Sequence, residues 1–247
     1  MRTLLFALLI APLTVALTPL AAWAAGGGYR LDRAPLEPTN LLSLQAGART
    51  FVNYCLNCHG AQYMRYNRLT DLGLTEAQIR DNLIFTDAKV GDTMKVALPA
   101  KDAKVMFGVA PPDLTVIGRS RSADWLYTYL RTFYRDDKSP TGWNNAAFPS
   151  VAMPHVLWTM QGERALEVIE DKEHHGPPQY KWTQLTPGSL NEVQYDTMVR
   201  DLVNFLVYMG EPSAVNRKNI GIMALFFLGI LFIFAYLLKR EYWKDVH

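Results

Sequence analysis

Cysteine is almost absent: Cys55 and Cys58 are the only two in 247 residues. A structural zinc site would need more thiols or another organised ligand pair, and His155, His174 and His175 are scattered with no second C-x-x-C. A disulfide across two intervening residues would be strained and would gain little loop entropy. An excess of one charge is missing too. Lys and Arg number 25 against 23 Asp and Glu, for a formal net charge of +2. Nothing there suggests the clustered basic face that nucleic acid requires, so no nucleic-acid partner is expected. The chain between residues 60 and 219 shows no repeat, no phosphate-cradling glycine loop and no Ser/His/Asp constellation with usable spacing. No catalytic residues are assigned.

What the sequence does have is apolar ends. Residues 1–24 start Met1-Arg2-Thr3, run through an apolar stretch and leave on Ala22-Trp23-Ala24. Those are the parts of a secretory signal peptide; an uncleaved N-terminal anchor is the alternative. Either one exports the adjoining residues, beginning with the glycines at 26–28 and a domain spanning 25–211. Near the other end, Ile220 to Leu238 are 19 uncharged residues. As a helix they reach roughly 28 Å, the hydrocarbon thickness of a bilayer. The spacing predicts a linker at 212–219, a single transmembrane helix at 220–238 and a tail at 239–247. Lys239, Arg240 and Lys244 outnumber Arg217 and Lys218 only slightly, so the export signal, more than the charge bias, puts the tail in the cytoplasm. Tyr236, Tyr242 and Trp243 stand where interfacial aromatics belong.

The two cysteines sit in Cys55-Leu56-Asn57-Cys58-His59. In C-x-x-C-H, two thiols one helical turn apart can each add to a vinyl group of a single haem, and the adjacent histidine lies beneath the iron. This motif predicts one covalent haem c on Cys55 and Cys58, with His59 as an axial ligand. A thioredoxin-type redox pair is the competing use, but it needs a βαβ setting that the residues after His59 do not suggest.

Gly47, Phe51 and Cys55 recur every four residues and predict a helical face leading into the motif. Met198, Leu202, Phe205, Leu206 and Met209 follow amphipathic-helix spacing, with Gly210 and Pro212 to stop it. Gly47 would let the two helices cross closely, with Phe51 and Phe205 filling the contact. For the iron's other axial position the spacing leaves Met94, Met106, Met153 and Met160 open. Met153 stands out between Pro149 and Pro154 in a stretch suited to a loop over the second haem face, and His155 is its rival.

Several motifs resemble the cytochrome c1 family, the haem subunits of the ubiquinol–cytochrome c reductase (cytochrome bc1) complex. They are the early C-x-x-C-H, Ala110-Pro111-Pro112-Asp113-Leu114, Arg119-Ser120-Arg121, Ala152-Met153-Pro154, Met209-Gly210-Glu211-Pro212 and the C-terminal apolar helix. The resemblance covers essentially the whole mature chain. It implies Met153 as the distal ligand and Arg121 beside a haem propionate. It implies electrons arriving singly from the Rieske iron–sulfur protein and leaving to a soluble or tethered cytochrome c, with the quinol chemistry in a neighbouring cytochrome b. His/Met ligation favours ferrous iron and suits such a late acceptor. One departure is that no cysteine remains for the stabilising disulfide of some relatives.

The expected fold is mainly α, a c-type cytochrome domain with irregular insertions plus one C-terminal transmembrane helix. The expected place is a bacterial-type inner membrane, with the haem domain on the periplasmic side. Another membrane-tethered c-type carrier or an oxidase subunit is the nearest alternative, and a tethered thiol–disulfide protein is one of another class. Glu163, Glu167, Glu170, Asp171 and Glu173 could form an acidic face that steers a basic cytochrome c, or simply a solvated helix.

Overall fold

The computed structural model describes residues 29–96, 98–169 and 178–245. The export segment, glycines 26–28, Glu170, Asp171, Glu173, His174 and His175 lie outside them. In chain order, α1 (Leu41–Thr50) runs directly into a π-helical turn (Phe51–Cys55). β1 (Ala61–Arg65), a 3-10 stretch (Tyr66–Leu72), α2 (Glu76–Leu83), β2 (Thr93–Met94) and α3 (Ala100–Phe107) follow. Next come α4 (Ile117–Ser120), α5 (Ala123–Arg131), β3 (Phe133–Arg135), β4 (Trp143–Asn145) and α6 (Trp158–Gln161). β5 (Gly162–Ile169), β6 (Gln179–Pro187), α7 (Glu192–Gly210) and α8 (Ala214–Tyr242) complete the chain. Helices carry the fold. The described strands form only three antiparallel pairs, β1–β2, β3–β4 and β5–β6.

The core centres on α1 against α7. Each helix begins with an asparagine cap: Asn40 accepts from Ser43 N, and Asn191 forms a capping box with Gln194. Such side chains satisfy amides that the first turn leaves unpaired. At the crossing Gly47 is required, because a Cβ there would collide with the Asp201 carbonyl and come within 2.7 Å of Phe205 Cβ. The Phe51 and Phe205 rings, with centroids 5.7 Å apart, fill the space beside it as expected. Leu202, Phe205, Leu206 and Met209 are buried on α7. A polar tie closes the same junction: Asn204 Nδ2 donates to Ser43 Oγ (3.0 Å), and Ser43 Oγ donates to Asp201 Oδ1 (2.7 Å). α5 joins α7 through Arg131, which reaches both carboxylate oxygens of Asp196 at 2.6 and 2.8 Å. Two parallel bonds of this kind fix orientation as well as contact.

Two sequence expectations are corrected. Residues 163–169 are a strand, whereas the spacing of the acids also suited a solvated helix. Ala165, Leu166 and Val168 pair with Thr183, Trp182 and Tyr180 across β5–β6, so cross-strand packing decides the conformation. Glu167 meets Lys181 at 3.2 Å on this hairpin and does not stand in an uncompensated acidic face. The linker expected at 212–219 is largely helical, because α8 already begins at Ala214. Nothing between Val215 and Asn219 breaks a helix, and Glu211 pairs with Arg217 at 3.0 Å across the joint. At 29 residues, α8 outlasts its apolar run at both ends and has no buried residue.

Candidate haem site

The frame of α1 and α7 supports a cavity of about 280 Å³ with an almost wholly apolar lining. One wall is the end of α1. The π-helical turn closes with Leu56 N donating to Phe51 O at 3.0 Å, which widens the helix just before the attachment motif. Such turns often mark functional positions. The Cys55 carbonyl then accepts from both Cys58 N (3.1 Å) and His59 N (2.8 Å), so a single turn presents all three motif side chains to the cavity. Cys55 is only 9% exposed, and burial pushes its thiol up to about 12.

His59 is oriented by a residue to which sequence reasoning gave no chemistry. Its Nδ1 lies 2.8 Å from the Pro112 carbonyl oxygen. A carbonyl can only accept, so Nδ1 carries the hydrogen and Nε2 keeps a free lone pair. Burial lowers the imidazole's pKa, against the opposing pull of the Pro112 carbonyl and of Asp113. Asp113 laces the same loop to the chain after the motif. Its carboxylate accepts from Gln62 N (2.8 Å) and Thr115 N (2.9 Å), while Leu114 N donates to Gly60 O (2.8 Å). The Pro111-Pro112 pair was a visible signal of a fixed backbone there; the carbonyl it aims was not.

Other parts of the lining come from α5 and the loop after β4. Of the methionines among the described residues, only Met153 lines the cavity. Met94 is fully buried elsewhere, Met106 is 67% exposed and Met160 packs against the main core. His155, the rival ligand, is not in the lining. It is 2% exposed, stacked on Phe133 at 4.8 Å and edge-on to Trp143 at 5.1 Å. Burial drives its pKa down to about 3, and its Nε2 has no hydrogen-bond partner.

The Met153 loop is held by two residues that the sequence did not single out. Asn145, fully buried, donates to the Tyr129 carbonyl (2.7 Å) and accepts from Ala147 N and Phe148 N. Asn144 Oδ1 accepts from Ser150 N at 2.9 Å. Ser150 (φ 61°) and Ser122 (φ 75°) have a positive φ, which is uncommon for any residue but glycine. They lie close in sequence to Met153 and Arg121, at turns where the chain bends around the cavity. Arg121 also lines it, with its guanidinium 5.2 Å from the Trp125 ring centroid and 5.8 Å from that of Phe148. An exposed cation braced on two rings suits the carboxylate edge of an otherwise apolar ligand.

The donor set therefore fits a haem: two thiols and an imidazole with a free Nε2, a thioether in the same apolar cavity, and a cation beside them. The sequence profile of the cytochrome C1 family matches residues 33–165 and 184–246. Cytochrome c1 of Allochromatium vinosum is 52% identical over 233 residues, covering 94% of this chain and 96% of that protein. The ammonia monooxygenase gamma subunit of Nitrosomonas europaea is 48% identical over 235 residues, 95% of this chain and 97% of that one. Cytochrome c1 of Rhodospirillum rubrum is 25% identical over 234 residues, 82% and 81% of the two chains.

Proposed function

From the premise that this chain belongs to the cytochrome c1 family, we propose that it is a membrane-anchored monohaem cytochrome, passing single electrons from the Rieske iron–sulfur protein to a cytochrome c. The family is that of the c-type cytochrome subunit of the bc1 complex, with cytochrome b and the Rieske protein as companion subunits and haem c as cofactor. The observation that carries the reading is the gathering of Cys55, Cys58, His59 and Met153 on one apolar cavity, with the His59 tautomer set by Pro112.

In this reading the Cys55 and Cys58 sulfurs would hold the cofactor covalently, His59 Nε2 and Met153 Sδ would be donors to its iron, and Arg121 would pair with a propionate. When bound, the haem iron supplies reversible one-electron chemistry. The protein's own residues hold it at a fixed orientation, keep water from its faces and set its potential. A thioether favours the ferrous state and so raises that potential. No side chain here needs to make or break a substrate bond; the quinol chemistry belongs to cytochrome b. α8 serves as a single-pass anchor in a bacterial inner membrane, with the haem domain on the periplasmic side and residues 239–247 in the cytoplasm. Its length and its unburied apolar run 220–238 support that use.

The test has two parts. Haem stain should survive denaturing electrophoresis of the full chain and vanish in a Cys55→Ala, Cys58→Ala double variant; two alkylatable thiols in the mature protein would sink the reading. The solubilised protein should copurify with cytochrome b and a Rieske subunit. The name of the Nitrosomonas relative motivates a second reading, service to a monooxygenase as its gamma subunit. Copurification with monooxygenase subunits, and without cytochrome b, would favour it.

A further inference from the structure

Tyr129 is a cavity residue whose side-chain polar group is aimed at a proposed ligand without being a ligand itself. Its ring is 8% exposed, stacked on Trp125 (centroids 4.7 Å apart, planes at 11°) and met edge-on by Phe133 at 5.1 Å. Its backbone is held as well, because the Tyr129 carbonyl accepts from Asn145 Nδ2. A ring clamped in this way cannot swing its hydroxyl to water without breaking the stack. The hydroxyl donates to Met153 Sδ at 3.3 Å. A thioether is a weak acceptor, and a buried hydroxyl given only that partner implies a geometry fixed by its surroundings.

We propose that Tyr129 is a positioning residue that orients the Met153 thioether toward the iron and weakens its donation, so holding the haem potential up. The inference rests on Met153 being the distal ligand. A thioether sulfur has two lone pairs. Engaging one in a hydrogen bond fixes rotation about the Cγ–Sδ bond and leaves the other for the metal. Density drawn toward the phenol hydrogen is lost to the iron, and ferric iron suffers more from that loss than ferrous. Partners of a ligand tune a metal centre by this route, and the potential of a haem responds to them. Tyr129 and Trp125 lie one helical turn apart on α5, and Arg121, just before the α5 cap Ser122, lays its guanidinium 5.2 Å from the Trp125 ring centroid. The rim cation, a packing ring and the hydroxyl thus follow in order along the cavity.

The experiment is a redox titration, with optical spectra, of the full-length holoprotein. It compares the wild type with Tyr129→Phe, Met153→Leu and the double variant. Tyr129→Phe keeps the ring and removes only the oxygen. It should lower the equilibrium constant for reduction threefold to tenfold, about 28 to 59 mV at ~59 mV per tenfold change for one electron. The ferric thioether–iron band should shift or weaken. In the Met153→Leu background the same change should have less than a twofold effect, because the sulfur that transmits it is gone.

A Tyr129→Phe potential unchanged within twofold while Met153→Leu moves it would overturn the proposal. So would a rise, or an equal drop in both backgrounds, which would mean that the hydroxyl acts without the sulfur. Unchanged potential and spectrum in Met153→Leu would instead remove Met153 as the ligand, and the proposal would go with it. If Tyr129→Phe fails to mature, 3-fluorotyrosine at position 129 replaces it. That residue has nearly the same size and a stronger donor, and it should raise the constant; no rise would overturn the proposal.

Discussion

Met153 and His155 stand two positions apart in one loop, and their surroundings give them different tasks. The thioether faces the cavity under the Tyr129 hydroxyl, whereas the imidazole lies between Phe133 and Trp143 with an unpaired Nε2. Met153→Leu should therefore lower the midpoint potential by more than the ~59 mV of a tenfold change in equilibrium, measured by redox titration. His155→Phe should leave it within a few millivolts on the order of experimental error. An aromatic of similar shape keeps the packing against Phe133 and Trp143, so thermal unfolding of His155→Phe should stay within about 1 kcal/mol of the wild type. The sequence left these two residues open because the packing that gives them different surroundings comes from β3 and β4, outside the local spacing. The gathering of Cys55, Cys58 and His59 was legible because it is set within a single turn. The Pro112 carbonyl was not, since every residue carries a carbonyl and only the fold says which one meets the imidazole.

The α1–α7 crossing was legible for a similar reason: Gly47, Phe51 and Cys55 share one face at a fixed period, and their partners on α7 do likewise. Gly47→Ala should destabilise the domain by about 2–3 kcal/mol, because its Cβ meets backbone that can move only if the helices separate. Thermal denaturation reads this as a loss of several degrees, ~2–4 °C per kcal/mol for a chain of this size. Asn191→Ala, which removes the α7 cap, should cost only about 1 kcal/mol. The β5–β6 hairpin shows where the same kind of reading fails. Glu163 and Glu167 are four residues apart, and residues i and i+4 share a face on a strand as well as on a helix. Acid spacing alone could not separate the two. The signal for a strand lay in its pairing with Tyr180 and Trp182, more than ten residues further along the chain.

For the molecule as a whole, the haem domain and α8 are joined by the short stretch Glu211–Pro212–Ser213, and no α8 side chain is buried. A chain ending at Pro212 should fold with its haem spectrum intact and a melting temperature within about 2 °C of the full protein, since it loses no core contact. It should also move from the detergent phase to the aqueous phase in a partition assay. Loss of the haem spectrum on truncation would show that α8 supports the domain directly. The long apolar helix was visible in the sequence through its apolar run. Its true ends were not, because hydropathy measures the apolar slab while helix limits depend on where backbone hydrogen bonding stops.

The burial of Cys55 also bears on the order in which the protein is assembled. Cys55 is only 9% exposed, and the side that is open faces the cavity lined also by Cys58 and His59. On the proposed reading, a vinyl group would meet this sulfur only from the cavity, so the walls given by α5 and the loop after β4 would govern the order of attachment and closure.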